Sequence, residues 1–131
     1  MREILFRGKS ICSICNKEWV IGDYLAETPD HGPWILPIGA DEEVPVVKET
    51  VGQYTGILDK NGKRIFEGDI VKHFDNSDLG YDIGTIEWDE SGCRYRRTTG
   101  TAKYTNYCGV INACIYEVIG NIYDNPELIH Q

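Results

Sequence analysis

The sequence predicts a mainly β fold, β-rich α+β in class, and three observations point there. Glycine is frequent, at 14 of 131 residues, and it falls between short apolar runs. No long segment keeps the 3.6-residue apolar period of a helix, whereas several short ones alternate. Asn61-Gly62 stands between two apolar-bearing stretches. That dipeptide suits a type I′ hairpin turn, in which both central residues take positive φ.

Taken in chain order, EILF (3–6) reads as a first short strand and EWVIGDYLAE (18–27) as a second. The turn-like RGKSICSICNK lies between them, so the two strands are expected to pair as a hairpin. TPDHGPWILPIGADEEVPVV (28–47) follows, with four of the five prolines. Proline removes a ladder donor, so this stretch is expected as loop or edge and not as a central strand. The boundaries that follow are 1–49, an N-terminal β-hairpin lobe with a Pro-rich connector, and 50–131, a small SH3-like β-barrel. The expected barrel strands are 54–59, 64–73, 83–89, 93–99 and 115–123. Alternation selects Ile65, Ile70, Ile86, Trp88, Val118 and Ile122 as core, each contributing roughly 1.5–3 kcal/mol when buried. The tyrosines of the C-terminal two-thirds are expected to cover the barrel ends with wet hydroxyls. Asn125-Pro126 near the end has the form of a helix start, with room for little more than a turn.

Composition narrows the functions. Apolar residues make up 41% and charged residues 26%, ordinary for a globular chain. No apolar run approaches the ~20 residues that span a bilayer. The start, MREILFRGKS, lacks the form of a secretory signal. A cytoplasmic protein with no membrane partner is expected. The net charge of −8 disfavours simple binding to a phosphate backbone. The one local basic group is Arg94, Arg96, Arg97 and Lys103. It is a possible nucleic-acid contact but reads more simply as solvated strand and loop.

A repeated dipeptide poses the main chemical question. KEWVIGDYL (17–25) and KRIFEGDIV (63–71) both place Gly-Asp inside apolar bulk. One reading makes Asp23 and Asp69 a carboxylate pair for acid–base or metal chemistry. The other makes Gly22 and Gly68 sites of bending or bulging, with each Asp accepting the backbone N–H groups that the irregularity exposes. No His or Glu stands at a ligand spacing from either Asp, so the structural reading is preferred. Gly22, Asp23, Asn61, Gly62, Gly68 and Asp69 are accordingly expected as turn and bulge residues.

Of the five cysteines, Cys12 and Cys15 have the Cys-x-x-Cys spacing of half a zinc knuckle. A tetrahedral site needs four ligands, and no second such pair exists. Zinc there is the minor alternative to plain turn thiols. No nucleophile elbow, Walker sequence or dinucleotide fingerprint is present. No catalytic residue, resident metal or cofactor is expected.

Four blocks carry a family resemblance: REILFRGK at the start, the Trp and GDYL after it, TVGQYTGILDKNGKRIFEGDIV in the middle and EVIGNIYDNPELI at the end. In order and spacing they resemble the YopX family of small phage and prophage proteins. Residues 90–113 and the SICSIC turn carry no part of that resemblance. It implies a phage or prophage origin, a mostly β fold and homo-oligomerisation, with no established activity and no catalytic residues. The resulting expectation is a non-enzymatic phage accessory protein, acting as an oligomeric interaction module on itself and on an unknown host or phage protein. The alternative is a nucleic-acid-associated factor, binding single strands or mimicking DNA through its acidity.

Overall fold

The computed structural model describes residues 3–11, 19–74, 81–90, 94–99 and 116–129. The chain is mainly β and divides into two compact units, Met1–Tyr54 and Thr55–Gln131.

Unit 1 is built from antiparallel strands β1 (Phe6–Lys9), β2 (Trp19–Leu25), β3 (Trp34–Pro37) and β4 (Val44–Pro45), in spatial order β4-β3-β2-β1. The first strand is FRGK and not EILF. Its register with β2 pairs Phe6 with Gly22 and Lys9 with Trp19. The Pro-rich stretch is not merely loop or edge, because β3 lies between β2 and β4. The prolines permit this by position. Pro33 precedes the strand and Pro37 is its last residue, so Trp34, Ile35 and Leu36 keep their amides for the ladder. The two-residue β4, ending in Pro45, forms the outer edge. Ile35 and Val46 are fully buried here, and Arg7 is buried with its guanidinium 4.7 Å from the Trp19 ring centre.

Strand β5 (Gly52–Leu58) crosses the boundary. Gly52 and Gln53 pair with Arg7 and Phe6 of β1, and β6 (Arg64–Phe66) is its neighbour in unit 2. Unit 2 also holds a four-stranded antiparallel sheet in the order β10-β7-β8-β9. Its members are β7 (Asp69–Phe74), β8 (Tyr81–Asp89), β9 (Arg94–Thr99) and β10 (Tyr116–Asn121). A 3₁₀ turn at Pro126–Ile129 follows and packs against β8.

Among the described residues the strands do not close into an SH3-like barrel. The stretch 64–73, expected as one strand, is two. Phe66 ends β6, Glu67 and Gly68 form a turn, and Asp69 begins β7 in the other sheet. The core of unit 2 is Ile65, Val71, Ile86 and Tyr116, with Ile57 and Val118 packed against it. Ile70 is also fully buried and Ile122 is half-buried.

Trp88 departs from expectation, at 42% exposed. Its position in the ladder explains this. β7 flanks β8 only from Tyr81 to Thr85, the corner residue Gly68 still bonds Ile86 O, and among the described residues 87–89 have only β9 as a ladder partner. Alternation puts Trp88 on the face of Ile86, but beyond the end of the neighbouring strand. Tyr116 departs in the other direction: it is fully buried and no wet rim residue.

Candidate functional site

The two Gly-Asp dipeptides occupy different environments. Gly68 has φ +91° and lies at the corner where the chain leaves β6 and enters β7. A residue with a Cβ is strained at such a torsion. The Gly68 N–H donates to Ile86 O at 2.8 Å, and its carbonyl accepts from Ile122 N at 3.0 Å. The corner therefore joins β8 to the chain just after β10. Asp69 is 1% exposed, and its Oδ2 accepts the Phe66 N–H at 2.7 Å across the turn. That bond satisfies a buried donor that the turn would otherwise strand.

Gly22 lies inside β2, flanked by Phe6 on one side and Pro37 on the other. Its φ lies outside the left-handed region. A Cβ there would stand 1.8 Å from the Leu36 carbonyl oxygen. Glycine at 22 thus permits close approach of strands, and both ladders run through it without a register shift. Asp23 is exposed and faces Leu36 in the β2–β3 register. The first dipeptide belongs to unit 1 and the second to unit 2.

A dense polar arrangement lies at the β5–β6 hairpin, around Asp59, a residue outside the expected turn and bulge set. Asp59 is 5% exposed. Its Oδ1 accepts the backbone N–H of Asn61 at 2.8 Å and of Lys63 at 2.9 Å, and its Oδ2 accepts that of Val118 at 3.0 Å. Its own N–H donates to Lys63 O at 2.7 Å, and its carbonyl accepts from Gly62 N at 3.0 Å. The turn is therefore Asp59–Gly62, with Lys60 and Asn61 at its centre. Asn61-Gly62 is not the central pair of a type I′ turn. Gly62, at φ +84°, closes a three-residue loop instead. Asp at the first position and Gly at the fourth is the signature of a type I turn, so DKNG carried the signal.

The hairpin tip is fastened to β10. Lys60 N donates to Tyr116 O at 3.0 Å, beside the Val118 bond to Asp59, and Lys60 Nζ lies 3.3 Å from Glu117 Oε2. Burial alone would raise the Asp59 pKa. The three amide donors, from Val118, Lys63 and Asn61, outweigh it with help from the Lys63 charge, and hold the carboxyl below its ordinary value. A carboxylate so saturated is anchored, and its depressed pKa is opposite to that of a general acid.

A comparable polar knot follows β10. Asn121 Oδ1 accepts from the backbone N–H of Tyr123 at 3.0 Å and of Asp124 at 2.9 Å, and Asn125 N donates to Asn121 O at 2.9 Å.

Arg94, Arg96 and Arg97 lie on β9, where the register sets Arg94 opposite Asp89, Arg96 opposite Glu87 and Arg97 opposite Ile86. Cys12 and Cys15 fall outside the described residues, as do Cys93, Cys108, Cys114 and Lys103. Among the described residues no group of three or more His, Cys, Asp or Glu could hold a metal ion. Among them, too, no helix is long and apolar enough to cross a membrane.

A search of curated proteins finds no match. Among solved structures, the crystal structure of protein EF1440 from Enterococcus faecalis is similar, with a TM-score of 0.53 and 24% identity over 98% of this chain and 99% of that one. At that identity the likeness is one of fold. The YopX family model, described as YopX protein, matches residues 14–130, and by that match across most of its length the chain belongs to the YopX family.

Proposed function

We propose that this chain is a non-enzymatic interaction module of phage or prophage origin that works as a homo-oligomer in the cytoplasm. One observation supports the non-enzymatic part of the reading above others. The buried carboxylates of the middle family block, Asp59 and Asp69, are bound to backbone N–H groups. Such groups hold a scaffold together, and what the scaffold offers a partner is its surface. That surface includes Ile4, Ile11, Ile38 and Trp88, all well exposed. Light scattering at micromolar concentration tests the assembly. A species heavier than the 14.9 kDa chain is expected, and a monomer alone overturns self-association.

The runner-up is a nucleic-acid-associated factor. The β9 register weighs against its basic form, since acidic residues stand opposite Arg94 and Arg96. Labelled single-stranded DNA, titrated at low and high salt, separates the readings. A salt-sensitive complex lost in an Arg94→Ala, Arg96→Ala, Arg97→Ala variant would replace the first proposal with the second.

A further inference from the structure

Asn61-Gly62 is the only Asn-Gly pair in the chain, and both residues are exposed at the hairpin tip. Among the described residues nothing lies within 4 Å of where a side chain on Gly62 would sit, so the following residue offers no steric shield. We propose that Asn61 is a site of spontaneous covalent modification, conversion to aspartate and isoaspartate through a cyclic imide, which the Asp59 clamp holds back in the folded protein.

The chemistry needs only water. The Gly62 backbone nitrogen, after losing its proton to solvent, attacks Asn61 Cγ. A new N–C bond closes a five-membered ring and the Cγ–N bond to the side-chain amide breaks, releasing ammonia. Water then opens the ring at either carbonyl. One opening leaves aspartate, and the other leaves isoaspartate, with the main chain rerouted through the side chain and longer by one methylene.

The fold opposes the first step at three points. The Gly62 N–H is already donated to Asp59 O at 3.0 Å, so freeing it costs the turn bond. The Asn61 N–H is held by Asp59 Oδ1 at 2.8 Å, which restricts rotation of the residue that must present its Cγ. The ionised Asp59 carboxylate also disfavours a second negative charge on the nearby amide nitrogen. Asp59 is no base for the step, because its oxygens already accept three amides. Once isoaspartate forms, the longer loop no longer lets Asp59 hold Asn61, Lys63 and Val118 together. Conversion therefore releases the tip from β10.

The test incubates full-length wild-type protein at mildly alkaline pH, native in one arm and in denaturing urea in the other. Conversion is read as the mass gain of the peptide containing residue 61, and isoaspartate by its separate elution. Conversion in urea is expected, with the native rate at least about tenfold slower, the factor imposed by a local opening free energy of about 1.4 kcal/mol. Asn61→Gln, which must close a larger ring, is expected to abolish the signal at this peptide. Protein converted in urea and refolded should show a lower urea midpoint than unconverted protein taken through the same cycle. Equal native and urea rates overturn the protection, and absence of conversion in urea overturns the site. An unchanged midpoint overturns the release of the tip.

Discussion

Gly22-Asp23 and Gly68-Asp69 are the same dipeptide in similar apolar company, and the fold uses them in opposite ways. At the first, glycine matters because its neighbours are close, and the aspartate is exposed. At the second, glycine matters because its torsion is unusual, and the aspartate is buried against the turn it stabilises. A strand interior and a corner between sheets place different demands on the same two residues. Sequence likeness at that scale reports which residue types fit, and not which physical constraint selects them.

Substitution can break this comparison or sharpen it. The largest effect is expected from Gly22→Ala. A methyl group 1.8 Å from the Leu36 carbonyl forces β2 and β3 apart, a loss of about 3 kcal/mol or more. Urea denaturation measures it, and a loss below that of Gly68→Ala would remove the close-approach account. Asp69→Ala comes next. It leaves the Phe66 N–H without its acceptor in a buried site, for about 2–3 kcal/mol. Gly68→Ala follows at about 1–2 kcal/mol, from strain at φ +91°. If Gly68→Ala equals a neutral surface change, the corner is not strained as described.

The acid limb of the stability curve examines Asp59. Its carboxyl has a lower pKa folded than unfolded, because the amides of Val118, Lys63 and Asn61 outweigh the opposing effect of burial. The sign follows by linkage: its contribution is present in full above the unfolded-state value. It is lost as pH falls through the folded-state value, in a window below about pH 4. Asp59→Asn should flatten that limb, as measured by urea midpoints at successive pH values. Asp23→Ala should be the smallest effect, within about 0.5 kcal/mol, as for an exposed site remote from special geometry. A large loss there would make the two dipeptides alike after all.

Much of the fold was legible for simple reasons. Strand positions follow from alternation and punctuation, so 83–89, 93–99 and 115–123 lie close to β8, β9 and β10. Ile65, Ile70 and Ile86 are buried as their spacing implied. The failures have identifiable causes. Trp88 has the right phase for the core but lies past the end of β7, and strand overhang is a property of the assembled sheet. WILP contains a proline yet forms an inner strand, because the proline sits where the ladder ends. Asp59 was readable as the first residue of a turn, but its bond to Val118 spans 59 residues of chain.

By itself the sequence determined the β class, the location of the hairpin tip and the need for glycine at 62 and 68. These depend on torsional preference and on the two-residue period of a strand, which neighbouring residues express directly. Only the tertiary structure decided that 64–73 turns a corner between sheets, that Asp59 holds β10 and that Gly22 is there for proximity. Those outcomes depend on which distant backbone atoms come within hydrogen-bond or contact distance, and chain spacing does not encode that distance locally.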